Sequence, residues 1–110
     1  MYKNGICAEE TEYYLKDETL VVVLAKELDH HNAVEIREKV DEYIIRNGVR
    51  YVIFDFSTTC FMDSSGIGVI LGRQRIVSSI DGKVMVRNMS REIERIFLIS
   101  GLHKLVEKES

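Results

Sequence analysis

Two adjacent features limit most strongly which fold this chain can adopt. One is a run of β-branched and aromatic residues, and the other is a helix start rich in hydroxyl groups that follows it closely. Residues 49–56 (VRYVIFDF) suit a pleated, covered surface, and we predict a central strand there. Residues 63–66 (DSSG) then open a helix that continues through residues 67–73, because hydroxyl and acidic side chains are favoured at helix starts. The tetrad therefore follows the carboxyl end of a strand, the edge where open α/β sheets usually expose their working surface.

The other apolar runs predict the remaining strands. Residues 11–16 and 19–25 are interpreted as a hairpin, and residues 83–87 as a later short strand. Residues 102–106 are apolar, and the pattern leaves open whether they form a strand or a short helix. Strands that alternate with helices imply parallel pairs joined by right-handed crossovers, with the hairpin adding an antiparallel partner. We predict an α/β domain, a small mixed β-sheet flanked by helices, in the order β-β-α-β-α-β-α.

Two further helices are predicted from caps and spacing. Asn32 with Glu35 three residues later has the spacing of a capping box, and Gly48 ends that helix. Asn88 or Ser90 is expected to cap the third helix.

The length of 110 residues fits one domain, large enough to bury a core without disulfide or metal. We assign residues 1–10 to a flexible leader without periodicity and residues 11–110 to the domain. No apolar run approaches the roughly 20 residues needed to cross a bilayer, and the polar N-terminus does not resemble a signal peptide. We therefore predict a cytoplasmic protein with no membrane contact.

Several function classes lack support in the sequence. The net charge of −3, without clustered lysine and arginine, offers no footprint for nucleic acid. Cys7 and Cys60 lack the spacing of a zinc site, and the adjacent His30 and His31 have no accompanying ligand set. The tetrad is not the G-x-S-x-G of serine hydrolases, and no phosphate-binding loop or dinucleotide motif is present. We predict a protein that is not an enzyme and that uses no cofactor and no metal.

The tetrad itself allows two interpretations. Ser64 is either a plain helix cap or a phosphoacceptor, since phosphate at a helix start faces free backbone N–H groups and the positive end of the dipole. Ile67 is either covered by a neighbouring helix or left for another protein. Gly66 and the later glycines leave the first turns unobstructed, which suits either helix packing or the approach of another backbone.

Three segments carry a family resemblance. They are residues 27–31 (ELDHH), 61–73 (FMDSSGIGVILGR) and 100–102 (SGL). The chain resembles, from about Thr11 to Val106, the anti-sigma factor antagonist family, the bacterial STAS domain, and most closely its sporulation-type members. The sequence departs from that pattern at Lys26, where relatives commonly have glycine, and at Arg91, where proline is frequent.

The resemblance implies a partner-switching protein. Such a protein binds an anti-sigma factor that is itself a serine kinase, frees a sigma factor, and is inactivated when the kinase phosphorylates Ser64; a phosphatase would reset it. Asp29, Asp63 and, with less weight, Ser65 become expected partner contacts, together with Gly66 and Ile67 at the helix start. Two alternatives stay open: a stand-alone STAS interaction module of a stress-signalling complex, and a weak nucleotide-binding protein.

Overall fold

The computed structural model describes residues 10–109, so all but Glu10 of the predicted leader lies outside the described residues. Within this range the chain forms strands, three α-helices and one short 3-10 helix. In chain order they are β1 (Glu12–Lys16), β2 (Thr19–Val23), β3 (Glu27–Leu28), α1 (His30–Asn47), β4 (Tyr51–Asp55), β5 (Phe61–Met62), α2 (Ser64–Ser78), β6 (Lys83–Arg87), α3 (Arg91–Ser100), the 3-10 helix (Leu102–Lys104) and β7 (Glu107–Lys108).

Five of the strands form one mixed sheet in the order β1-β2-β4-β6-β7. The β1–β2 pair is antiparallel, and the β2–β4, β4–β6 and β6–β7 pairs are parallel. Val22, Phe54 and Val86 face one another across the three central strands, and each is fully buried. The pairing confirms the predicted hairpin and the parallel crossovers. Burial of this row of side chains fixes the strand register, since a shift by one residue would turn them to the other face.

The helices bury one apolar stripe each against the sheet. The buried residues of helix α1 recur every three or four positions, which places them on one helical face. They are Ala33, Ile36, Val40 and Ile44. Helix α3 buries Ile93 and Phe97, and the ring of Phe97 meets Phe56 edge-on at 5.7 Å between centroids. This contact fixes α3 to the residue that follows the central strand β4.

Helices α1 and α2 are joined by a buried ionic contact. Arg73 of α2 is 6% exposed, and its Nε lies 2.9 Å from Oδ1 of Asp41 on α1. The orientation of the two groups does not make a hydrogen bond, so the contact is electrostatic. Burial lowers the pKa of Arg73, and the charge of Asp41 opposes that shift. The pair therefore fixes the lateral position of α2, the helix that begins with Ser64.

The structure corrects two expectations and decides two alternatives that the sequence left open. The two-residue strands β3 and β5 were absent from the predicted element order, and they form a second small sheet. Helix α1 is capped by Asp29 instead of Asn32; the side chain of Asn32 instead accepts a hydrogen bond from the backbone of Asp29. Residues 102–106, left open between strand and helix, contain the 3-10 helix, and the last strand follows them. Of the two proposed caps of α3, Ser90 is the one that accepts the hydrogen bond.

Candidate functional site

The site is built on the small sheet formed by β3 and β5. The two strands run parallel, with Glu27 opposite Phe61 and Leu28 opposite Met62. The backbone N–H of Asp63 continues the pairing by donating to the carbonyl of Leu28 at 3.1 Å. Because parallel strands end at the same edge, the helices that follow them, α1 and α2, begin side by side.

Two buried threonines hold the loop before β5 in place. The hydroxyl of Thr59 donates to the carbonyl of Ala25 at 2.8 Å, and that of Thr58 donates to the carbonyl of Leu24 at 3.0 Å. Both acceptors lie just after β2, in a stretch of backbone that the main sheet already fixes. The serine loop is therefore attached to the central sheet before it reaches the tetrad.

Asp63 caps α2. Its Oδ1 accepts hydrogen bonds from the backbone N–H of Ser65 at 2.8 Å and of Gly66 at 3.4 Å. Ser64 is thus the first residue of the helix; it is exposed, and no hydrogen bond of its hydroxyl is found among residues 10–109. The interpretation of Ser64 as the helix cap is wrong, because the carboxylate one residue earlier already accepts from the N–H groups a cap would satisfy.

The residues after Ser64 face different surroundings. Ser65 is half-buried and lines a groove of about 330 Å³ between α1 and α2. Gly66 is buried, and a Cβ on it would lie 2.6 Å from Cγ of Met62 and 2.7 Å from Cγ of Leu28. Ile67 is half-buried and packs against the core. The start of α2 packs so closely on β3 and β5 that position 66 has no room for a side chain. Gly68, in contrast, is exposed and has open space at its Cβ position.

Asp29 has the same place at the start of α1 that Asp63 has at the start of α2. Its Oδ1 accepts from the backbone N–H of His31 at 3.0 Å, and Asn32 completes the capping box. Burial opposes ionisation of this carboxyl, but hydrogen bonds from the backbone and side chain of His31 outweigh it and lower the pKa of Asp29. Two parallel helix starts, each with an aspartate cap, therefore lie next to each other.

Two histidines lie between these aspartates. Nδ1 of His30 is 3.9 Å from Oδ2 of Asp63, and Nδ1 of His31 is 3.5 Å from Oδ2 of Asp29. The two imidazole rings are 4.0 Å apart between centroids. Among the described residues no group of three potential ligands could hold a metal ion, so the pair does not belong to a metal cluster there.

The groove between the two helices includes residues that sequence reasoning did not single out. They are Val34 and Arg37; His30 and Gly68, considered above only as a metal ligand and as a helix glycine, line the groove as well. The spacing of these residues could have indicated a shared helix face. Residues of one face recur every three or four positions, as do positions 30, 33–34 and 37 on α1 and positions 65 and 68–69 on α2. Reading it required knowing that α1 and α2 are adjacent, which the sequence does not state.

Comparisons with known proteins agree with this architecture. A family model described as the STAS domain matches residues 10–109. The anti-sigma F factor antagonist of Lysinibacillus sphaericus is 39% identical over 85 residues, which are 77% of this chain and 73% of that protein.

Two solved structures of SpoIIAA are also similar to this chain. The anti-sigma factor antagonist SpoIIAA in its unphosphorylated form has a TM-score of 0.82 and 34% identity, and the match covers 91% of this chain and 88% of that one. The Bacillus cell fate determinant SpoIIAA in the phosphorylated form has a TM-score of 0.75 and 34% identity, with 91% of each chain covered.

The mixed sheet, its helices and the serine loop on a second small sheet define a single STAS domain. Within that class, the chain belongs to the anti-sigma factor antagonist family. The resemblance drawn from the three sequence segments is confirmed, and its sporulation-type character agrees with the similarity to two structures of SpoIIAA. No helix among residues 10–109 is long and apolar enough to cross a membrane.

Proposed function

We propose that this protein is an anti-sigma factor antagonist that binds an anti-sigma factor serine kinase, frees a sigma factor, and is inactivated by phosphorylation of Ser64. The observation that carries the proposal is the position of Ser64, whose exposed side chain begins α2 while Asp63 caps the helix. A kinase would reach this hydroxyl without breaking the hydrogen bonds that hold the helix start. The similarity to a protein known in a phosphorylated form supports the same assignment.

The proposed binding surface is the edge where α1 and α2 begin. Asp29 and Asp63 supply negative charge there, and Ser65 lines the groove between the helices. Ile67 contributes its partly exposed side chain. Gly66 acts from beneath the surface, because its lack of a side chain lets α2 start close to β3 and β5. A protein interface typically has an apolar core and a polar rim, and a small apolar groove with polar groups around it fits that description.

Phosphorylation would act through local charge. A phosphoserine adds about −1.5 to −2 charges, here beside the carboxylate of Asp63. The start of α2 compensates part of that charge, so the domain is expected to stay folded. In the complex the phosphate would have to lose water opposite a kinase that already holds nucleotide phosphates, and like charges at an interface can cost several kcal/mol. The phosphate is thus tolerated in the free domain but unfavourable in the complex, and the kinase is released.

The cycle also requires a phosphatase that removes the phosphate from Ser64, and it operates in the cytoplasm. The protein itself supplies no catalytic residue, no cofactor and no metal in this scheme. It acts by presenting a surface in two charge states. Direct contact with nucleic acid or membrane has no part in it.

The test is phosphorylation by an anti-sigma F-type serine kinase with ATP, followed by mapping of the modified peptide. We expect one phosphate, on Ser64, and no incorporation in Ser64→Ala. Ser65→Ala is the matched control, because it removes the adjacent hydroxyl and leaves the Asp63 cap intact; it should still be modified. Phosphate on Ser65 or Ser90 with Ser64 unmodified would overturn the assignment.

A second measurement separates the remaining alternatives. Titration of the isolated protein with ATP, ADP and GTP should give no saturable binding. Tight nucleotide binding together with an absence of kinase binding would instead support the nucleotide-binding interpretation. Binding to a stress-signalling assembly without binding to the kinase would support the stand-alone interaction module.

A further inference from the structure

We propose that His30 is the residue of this chain that holds the phosphoryl group of phosphorylated Ser64 against the domain. The inference rests on the proposed function only in that it takes Ser64 as the modified residue. It assigns a role to a side chain at the start of α1, on the element next to the one that carries the phosphate.

The geometry starts from the contact between His30 and Asp63. Nδ1 of His30 lies 3.9 Å from Oδ2 of Asp63, the carboxylate oxygen that does not accept the two cap hydrogen bonds. Ser64 is the next residue, and consecutive Cα atoms are only about 3.8 Å apart. A phosphoryl group on Ser64 is therefore attached one residue from the carboxylate that the imidazole already approaches.

His30 is able to change partners at low cost. Its side chain is 69% exposed, so turning from Asp63 toward a phosphate breaks no core packing. A contact between an ionised phosphate and an imidazolium or imidazole N–H is a charge-assisted hydrogen bond, stronger than one between neutral groups. The more highly charged phosphate should therefore displace Asp63 as the partner of His30.

The other charged groups near His30 are less well placed for this role. The ring of His31 lies next to that of His30, tilted by 36°, but its Nδ1 is 3.5 Å from Oδ2 of Asp29. Arg37 lines the same groove but lies seven residues further along α1, about 10 Å along the helix axis. The carboxylates of Asp29 and Asp63 repel a phosphate. Of these basic groups, His30 is the one that contacts the residue preceding Ser64.

The contact has a consequence for partner switching. His30 and Ser65 both line the groove between α1 and α2. A phosphoryl group held by His30 would lie at the rim of that groove instead of pointing freely into water. The modification would then place negative charge, in a fixed position, on the surface proposed to bind the kinase.

The experiment uses the full chain with phosphoserine installed at position 64 during translation, so that no kinase is needed. The phosphorus NMR signal is followed against pH in the parent, His30→Gln and His31→Gln. A nearby cation favours the doubly charged phosphate, so the parent midpoint should lie below that of His30→Gln, by about half a pH unit for a partly exposed pair. His31→Gln is the matched control and should titrate like the parent.

A second readout guards against an indirect effect. In proton–nitrogen spectra of the imidazole groups, installing the phosphate should shift the His30 signals more than those of His31. Neither substitution is expected to unfold the domain, because both side chains are largely exposed and Asp29 caps the helix; circular dichroism checks this. Equal midpoints in the parent and His30→Gln, or an equal change in His31→Gln, would overturn the proposal.

The outcome is independent of the proposed function. If the kinase fails to modify Ser64, the proposed function fails, while the phosphate–His30 contact is still measured directly. If the kinase modifies Ser64 but the titrations coincide, the role of His30 fails alone.

Discussion

The backbone N–H of Asp63 donates a hydrogen bond to the carbonyl of Leu28 at 3.1 Å. This bond joins the serine loop to the strand that ends one residue before Asp29. The two aspartate caps are consequently held by one piece of backbone pairing, although they are 34 positions apart in the sequence. Any change that displaces β3 is expected to move Ser64 as well.

The first prediction separates the roles of Asp63 and Ser64 in stability. Asp63→Ala should lower the free energy of unfolding by about 0.5–2 kcal/mol, because it leaves the N–H of Ser65 without its acceptor. The N–H of Gly66 keeps its shorter bond to the backbone carbonyl of Asp63. Ser64→Ala should change it by less than about 0.5 kcal/mol. Urea denaturation measures both. Equal losses in the two variants would mean that the serine hydroxyl shares the cap.

The second prediction compares two glycines on the same helix. Gly66→Ala should destabilise the protein by about 1–3 kcal/mol, because the new Cβ meets the buried side chains of Met62 and Leu28. Gly68→Ala is the matched control, and with open space around it the change should stabilise by up to about 1 kcal/mol through helix propensity. Denaturation curves of both variants decide the matter. If the clash is the cause, the double variant Leu28→Ala/Gly66→Ala should lose less stability than the sum of the losses in the two single variants, although Leu28→Ala is itself destabilising because Leu28 is fully buried.

The third prediction concerns the ionic contact between the helices. Asp41→Ala leaves the guanidinium of Arg73 buried without a compensating charge, and breaking a fully buried pair costs about 3–5 kcal/mol. Asp41 is 32% exposed, so a loss of about 2–4 kcal/mol is expected. The double variant Asp41→Leu/Arg73→Met should be more stable than Asp41→Ala. A double variant that is less stable than Asp41→Ala would contradict this prediction. It would show that the ion pair stabilises the fold more than its apolar replacement does.

The fourth prediction is an acid-dependent loss of stability through Asp55. Burial raises the pKa of this carboxyl, but hydrogen bonds from Ser57, Arg87 and Asn88 outweigh it, and the net pKa is lowered. A lowered folded-state pKa contributes stability that is present above the unfolded value, near 4, and is lost as the pH falls through the folded value. The parent should therefore lose stability below about pH 4.

Asp55→Asn provides the comparison. The variant should be less stable than the parent at pH 7, because Arg87 and Asn88 lose a charged partner, and its stability should fall less between pH 5 and pH 2. Urea denaturation at several pH values gives both quantities. An acid dependence as steep as that of the parent would assign the effect to other carboxyl groups.

The fifth prediction tests the charge switch at the interface. Ser64→Asp should bind the kinase in the presence of ADP at least tenfold more weakly than the parent, since each 1.4 kcal/mol of repulsion is about tenfold in affinity. Ser64→Ala should bind like the parent. Asn47→Asp adds the same charge at the far end of α1 and serves as the control. Parent-like affinity of Ser64→Asp, or a loss explained by unfolding in far-UV circular dichroism, would contradict the switch.

Much of the architecture follows from the sequence alone. The strand at residues 83–87 has the predicted limits, and the hairpin and central strand are shorter than predicted by one to three residues. These elements are long enough for β-branched runs and apolar spacing to show a period. The position of the tetrad at a helix start was likewise visible, because acidic and hydroxyl residues are favoured there whatever the rest of the fold.

Only the tertiary structure decided how the site is assembled. Strands β3 and β5 have two residues each, too few to show a period, and each exists because the other pairs with it. That pairing places Asp29 directly before a helix and so selects it over Asn32 as the cap, although both residue types cap well. It also brings His30 beside Asp63. Sequence specifies local preferences, whereas contacts between distant segments depend on which surfaces pack, and that choice is made by the whole core.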